Sequence, residues 1–341
     1  MQQQRQVQWT GIWFLVLVCV YCALAFLWPG GDAQWNANFF LQWAVVQFGV
    51  LLIPAVALRR GLKLPALSWR ARRGFLPVLG MVAGVLMLLP FLNLLWMAML
   101  HTLSWQLITP PLPPMDSLGG WLVGMACIAL IPAFVEEFTF RGVLQQALRP
   151  IGPNAIFWTA LLFALLHLDM QGLPARLILG LVLGYLAYTS GSLGLGIFYH
   201  FCHNAATVTL TMLLGLYQRW IADVLPSDML QQSTEQAAML FDSSSMWWLL
   251  LVFLPLAVGG VLLTWFCIQF FRRQISPNRD PLGQRFRELG ARLGMHGRYE
   301  GEMDLMVPTL NNPVIMTARI SWPYWASLVV LLGMYVVARL L

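Results

Sequence analysis

The sequence predicts an all-α fold, a polytopic bundle of transmembrane helices, and three observations carry that expectation. Apolar residues make up 59% of the 341 positions and charged residues only 10%, which leaves too little polar surface to solvate a globule. The apolar residues fall into continuous runs of about 18 or more, the length that crosses a hydrocarbon core of roughly 30 Å. Short alternating stretches are lacking, so helices rather than a barrel are expected to span the membrane.

The runs lie near 11–29, 36–58, 75–100, 121–148, 154–168, 173–189, 194–217, 246–271 and 323–341. They give eight or nine crossings, depending on whether the short 154–168 and 173–189 segments traverse fully. The first run ends in Trp28-Pro29-Gly30-Gly31 without a convincing small-residue cleavage site, so it is expected to be a retained anchor.

Positive charge is distributed unevenly enough to orient the chain. Arg59, Arg60, Lys63, Arg70, Arg72 and Arg73 crowd one loop, and Arg272, Arg273, Arg279, Arg285, Arg287, Arg292, Arg298 and Arg319 crowd another. Those loops are expected to be cytoplasmic, with the N-terminus on the same side. The loops at 30–35 and 101–120 carry no Lys or Arg, and 218–245 has Arg219 alone against Asp223, Asp228, Glu235 and Asp242. These should face outside. The net charge of +6 is therefore a topology signal, and no aromatic-interleaved basic surface points to nucleic acid as a partner. Cys19, Cys22, Cys127, Cys202 and Cys267 all lie inside apolar runs with no paired spacing beyond them. Neither a disulfide framework nor a structural zinc site follows, and all five are expected to be small core residues.

Four regions result: N-terminal transmembrane helices and loops over 1–120, a helical core over 121–217, an extracytoplasmic loop over 218–245, and C-terminal transmembrane helices over 246–341. The last contains a polar cytoplasmic loop, 272–322, rich in Arg and Gly. Asp280–Leu293 within it reads either as an amphipathic helix on an anionic leaflet or as a connector.

The chemistry begins at Ile131, in Ile-Pro-Ala-Phe-Val-Glu136-Glu137-Phe-Thr-Phe-Arg141. An ionised group at membrane depth costs at least about 2.5–3.5 kcal/mol, so it must line a polar cavity, find a partner or be neutral. Glu137 and Arg141 are four apart and can pair on one helix face. Glu136 is turned about 100° from Glu137 and is left available as a general base. His167 follows in Phe163-Ala-Leu-Leu-His167, beyond the turn signal Arg149-Pro150-Ile151-Gly152-Pro153. Glu136 stands 15 residues before Ile151 and His167 stands 16 after it. In a helical hairpin both reach similar depth, roughly 20 Å from the turn. His200 and Asn204, again four apart, can offer two donors to one oxygen, as an oxyanion requires, whereas His203 falls off that face. A histidine buried in one apolar helix is commonly just a paired core residue. Three separate segments with such groups indicate a site.

Glu136-Glu137-x-x-x-Arg141, Phe163-x-x-x-His167 and His200-x-x-x-Asn204, in this order, resemble the CPBP family, the CaaX-type and bacteriocin-processing intramembrane proteases also called Abi. The likeness covers about 120–215. It implies a CPBP-like catalytic core in which Glu136 and His167 activate a water, His200 and Asn204 stabilise the oxyanion, and Glu137, Arg141 and Phe163 support the motif. It also implies peptide-bond hydrolysis in a membrane-associated protein or peptide, and a bacterial inner-membrane setting. Eukaryotic members of the family act on prenylated CaaX proteins.

The sequence lacks His-Glu-x-x-His, the usual zinc-protease helix. Glu136, His167 and His200 could still assemble a site for a divalent metal such as zinc from separate helices. Asn204 is a poor zinc ligand and suits an oxyanion donor, so catalysis without a cofactor is expected. A serine or aspartyl mechanism fits less well, since Ser190 and Ser192 occupy a Gly-rich turn and Asp169 ends a segment. Two readings from other classes remain: a non-catalytic immunity or scaffold protein, and a transporter, which lacks two similar halves with broken helices.

Overall fold

In a computed structural model the chain is described over residues 2–28, 34–65, 67–69, 73–105, 113–225, 229, 243–275 and 318–340. Nine long helices account for nearly all of these residues: α1 (Gln2–Leu27), α2 (Ala37–Leu62), α3 (Phe75–Thr102), α4 (Leu118–Ile151), α5 (Asn154–Leu166), α6 (Leu173–Ser190), α7 (Leu193–Val224), α8 (Ser243–Ile275) and α9 (Trp322–Leu340). Among the described residues there is no strand, only an isolated bridge between Ser68 and Ser192. The fold is the expected helical membrane bundle, and large apolar side chains such as Leu27, Leu76, Trp248 and Val252 stand exposed around it, as a lipid-facing surface requires.

Each expected span corresponds to a helix, but by length and apolarity six of the described helices qualify as crossings: α1, α2, α3, α4, α6 and α8. Helices α5 and α9 are shorter. Helix α7 is long enough at 32 residues, but polar groups including His200, His203 and Asn204 lower its apolarity. The loop expected from 218 begins instead as the end of α7, which continues to Val224. The segment Asp280–Leu293 lies outside the described residues.

Local chemistry sets the helix ends. The Asn36 side chain accepts from the Phe39 N–H at 2.8 Å, the Ser117 hydroxyl from Gly120 N–H and the Ser192 hydroxyl from Leu195 N–H, three N-caps that satisfy otherwise orphaned donors. The expected turn between α4 and α5 closes as a short 3₁₀ stretch over Arg149–Ile151, followed by Gly152 at φ 70°. The π-helical stretches Val45–Leu52, Met125–Leu130 and Glu137–Leu144 interrupt α2 and α4.

Small residues bring the helices together. A Cβ on Gly84 of α3 would stand 2.7 Å from the Gly260 carbonyl oxygen of α8, and one on Gly180 of α6 would stand 2.9 Å from Ala160 Cα of α5. Lipid supplies no hydrophobic drive between helices, so backbone approach of this kind carries their association. Cys22, Cys127 and Cys267 are buried as expected, and Cys202 is half-buried. Cys19 is exposed, because the buried face of α1 runs through Leu17, Val18 and Cys22 and leaves position 19 outside it.

Glycine-to-alanine changes should therefore reverse sign with position. Gly333→Ala, in a helix with open space at the Cβ, should stabilise by about 0.5–1 kcal/mol through helix propensity. Gly84→Ala should destabilise by about 1–3 kcal/mol through overpacking. Unfolding midpoints of the two purified variants in detergent check both signs.

Candidate active site

The site is built where α4, α5 and α7 meet. Pro132 lies one turn before Glu136 and has no N–H to give the Ile128 carbonyl four residues back. The Asn204 amide supplies a donor to that carbonyl instead, Nδ2 to O at 3.1 Å, and so ties α7 to α4. Trp43 Nε1 donates to the neighbouring Cys127 carbonyl at 2.9 Å, which ties α2 to the same stretch. The helix changes from α to π winding between Glu136 and Glu137. Such insertions recur at functional sites, where they re-aim side chains.

Glu137 is fully buried, as is Arg141, and Arg141 Nη1 meets Glu137 Oε1 at 2.7 Å, the expected i,i+4 pair. The pair is the centre of a wider network. Arg141 Nη2 donates to the Gly180 carbonyl of α6 at 3.2 Å, and its guanidinium lies over the Phe163 ring at 4.6 Å. His200 Nδ1 of α7 donates to the same Glu137 oxygen at 3.1 Å. Gly196, one turn before His200, leaves space for the carboxylate: a Cβ there would stand 2.8 Å from Glu137 Oε2.

Glu136 points away from Arg141, as the helix rotation requires, and is the more exposed of the two carboxylates. Its Oε2 is 3.9 Å from His200 Nε2, so His200 stands between both glutamates. His167 caps α5, with Nδ1 2.8 Å from the Phe163 carbonyl. A carbonyl only accepts, so Nδ1 carries the proton and Nε2 keeps a free lone pair. The Phe163 ring makes edge contacts with both His167 and His200, at centroid distances of 4.9 and 6.0 Å. His200 thus joins both glutamates, Phe163 joins His167 to His200, and Asn204 is placed one turn further along α7 on the Ile128 carbonyl. His203 is off this cluster, stacked on Tyr199.

Two groups escaped the sequence reading as part of the site. Arg176 of α6 pairs with Asp169 at 2.6 Å, both side chains about 28% exposed, and its charge acts on Glu136 and His167. Burial raises the Asp169 carboxyl, but Arg176 and the N–H groups of Gly172 and Gln171 outweigh it and hold the group below its ordinary value. Tyr21 of α1 also lies within electrostatic reach of Glu136. The seven-residue spacing of Asp169 and Arg176 spans a turn, not a helix face, and Tyr21 sits in an ordinary apolar run. Leu168, between His167 and Asp169, adopts φ 50°, a left-handed conformation of the kind often held at functional turns.

Helices long and apolar enough to cross a membrane, with a fully buried ion pair beside a partly open carboxylate, define an integral membrane protein with a polar centre among its helices. Residues 118–206 match the family model described as type II CAAX prenyl endopeptidase Rce1-like, and this match supports the resemblance of that segment to the CAAX-type proteases. No curated protein and no solved structure matches the chain. Among the described residues, no group of three or more His, Cys, Asp and Glu side chains is disposed to hold a metal ion.

The Glu137–Arg141 pair makes a quantitative expectation. Arg141→Ala should destabilise by about 3–5 kcal/mol, because it strands a buried carboxylate. Glu137→Ala/Arg141→Ala should cost less than the sum of the single changes. A double-mutant cycle of detergent unfolding free energies measures the coupling, and additive effects would show the pair to be energetically idle.

Proposed function

We propose that this protein is an intramembrane endopeptidase that hydrolyses peptide bonds of membrane-associated proteins or peptides. The observation that carries the proposal is the placement of His200 between Glu136 and Glu137, with His167 held across the same Phe163 ring, all within the family-matched segment.

In this mechanism Glu136 is the general base. A water held between its carboxylate and His167 Nε2 attacks the scissile carbonyl carbon as Glu136 takes its proton. The new C–O bond converts the carbonyl oxygen to an oxyanion. His200 and Asn204 stabilise that charge. Asn204 has two amide protons, of which one is given to Ile128, so the second is available. His200 meets Glu137 through Nδ1 and turns Nε2 toward the same centre, where a proton on that nitrogen is the second donor. Collapse of the tetrahedral species breaks the C–N bond, and Glu136 returns its proton to the departing nitrogen. Glu137, Arg141 and Phe163 hold this arrangement without touching the reacting atoms.

The chemistry as written requires no metal. His200 is committed through Nδ1 to Glu137, and Asn204 is an amide suited to donating toward an anion. The membrane is the bacterial inner membrane in this reading, with the N-terminus and the basic 59–73 loop cytoplasmic by the positive-inside rule.

Cleavage of a quenched-peptide or membrane-protein library by the purified protein tests the proposal. Glu136→Gln and His167→Ala should each lower kcat/KM by about 10²–10⁴-fold, the range for loss of a general base. Wild-type activity should survive a zinc chelator. Loss in chelator would replace the metal-free mechanism by one built on Glu136, His167 and His200. Absence of cleavage by folded wild type, with Glu136→Gln indistinguishable from it in every property, would favour a scaffold.

A further inference from the structure

The end of α2 carries Arg59, Arg60 and Lys63, and no acidic residue occurs between positions 33 and 115. Among the described residues no carboxylate pairs with any of the three. Cations at a helix C-terminus ordinarily answer its free carbonyls, but here the backbone closes that end by itself. Leu64 N–H donates to the Arg59 carbonyl at 3.2 Å and Lys63 N–H to the Arg60 carbonyl at 3.3 Å, the two bonds of a Schellman cap. The residue in the left-handed position is Lys63, at φ 50°. Glycine takes that position without strain, so a lysine there retains its charge at a conformational cost.

These cations rim a pocket of about 560 Å³ whose remaining walls are apolar. Trp69 forms one wall, stacked on Phe134 and Phe138 of α4 at 5.5 and 6.3 Å. It is held there because Ser68 N–H donates to the Gly191 carbonyl at 2.9 Å and Leu193 N–H to the Ser68 carbonyl at 2.8 Å. The Arg59 guanidinium lies 5.5 Å over the Phe138 ring. Phe138 is two residues from Glu136, about 200° around the helix, so the pocket backs onto the catalytic helix from the opposite side.

Shape and chemistry specify an amphiphile. Ile53, Val56 and Arg60 follow one another at i, i+3 and i+7 on α2, and Ile53 is 64% exposed. The face is apolar along the helix and cationic at its end, the layout of an acyl chain beneath a phosphate headgroup. We propose that this pocket binds the phosphate of an anionic phospholipid, with Arg59, Arg60 and Lys63 on the headgroup and Val56 and Trp69 against its apolar part. The site is separate from the catalytic cluster and does not depend on the proposed reaction.

Native mass spectrometry of the full-length protein titrated with dioleoyl phosphatidylglycerol, dioleoyl phosphatidylcholine or inorganic phosphate tests this. Phosphatidylglycerol should be retained in preference to phosphatidylcholine. Arg60→Gln should weaken its retention roughly five- to tenfold, as for loss of one interfacial charge. Lys63→Gly should weaken retention similarly while raising the unfolding midpoint in neutral detergent, because it relieves the left-handed strain. Arg272→Gln/Arg273→Gln, exposed cations of α8 outside the pocket, should leave retention unchanged. Equal retention of the two lipids, or equal loss in the α8 variant, would overturn the pocket. Displacement of phosphatidylglycerol by equimolar inorganic phosphate would overturn its assignment to a lipid.

Discussion

A buried ion pair that also reaches two other helices is the constraint on which the candidate site depends. Arg141 and Glu137 have no exposure to share their charges with solvent, and removing either partner would leave the other stranded in a low-dielectric interior. The pair is therefore tolerable only while α4, α6 and α7 stay in register. Arg141 fixes α6 through the Gly180 carbonyl, and Glu137 fixes α7 through His200. Gly180 and Gly196 are the complement of that network. The first lets α6 approach Ala160 of α5, and the second admits the Glu137 carboxylate beside α7. Charge and close backbone approach thus specify one geometry together, and the polar side chains around Phe163 inherit their placement from it.

The helices and the buried ion pair were legible because membrane burial makes polar residues informative, although only six of the described helices are long and apolar enough to count as crossings. Nine apolar runs became nine helices, and the offset between Glu136 and Glu137 followed from helix rotation alone. Glu137 and Arg141 pair at the expected spacing, and the turn at Arg149–Ile151 folds α5 back on α4. Other features depended on neighbours that no local pattern names. The Asn204 amide bonds the Ile128 carbonyl, a link across 76 residues. Arg176 meets Asp169 around a turn, and Tyr21 approaches Glu136 from a helix with no polar periodicity of its own. The extension of α7 to Val224 was hidden by its polar composition, and exposed Cys19 by the assumption that small residues in a membrane run face the core.

The winding of α4 links fold to site. Its π stretches at Met125–Leu130 and Glu137–Leu144 flank the short α segment that ends at Glu136. Irregular winding inside a membrane is tolerable only where the altered carbonyls find partners. Trp43 and Asn204 supply them to Cys127 and Ile128. One of the two is a residue whose second amide proton the proposed reaction uses, so that proposal gives the same side chain a structural and a chemical task.

The two faces of α4 are consequently unlike. Glu136 looks toward His200 and the partly open centre, while Phe134 and Phe138 form an aromatic stack with Trp69 on the other side. The stack depends on Trp69, and Trp69 depends on the paired backbones of Ser68 and the Gly191–Leu193 turn that starts α7. Helix α7 in turn carries His200 and Asn204. The stack is therefore connected to the candidate site in two ways, directly through α4 and indirectly through the first turn of α7.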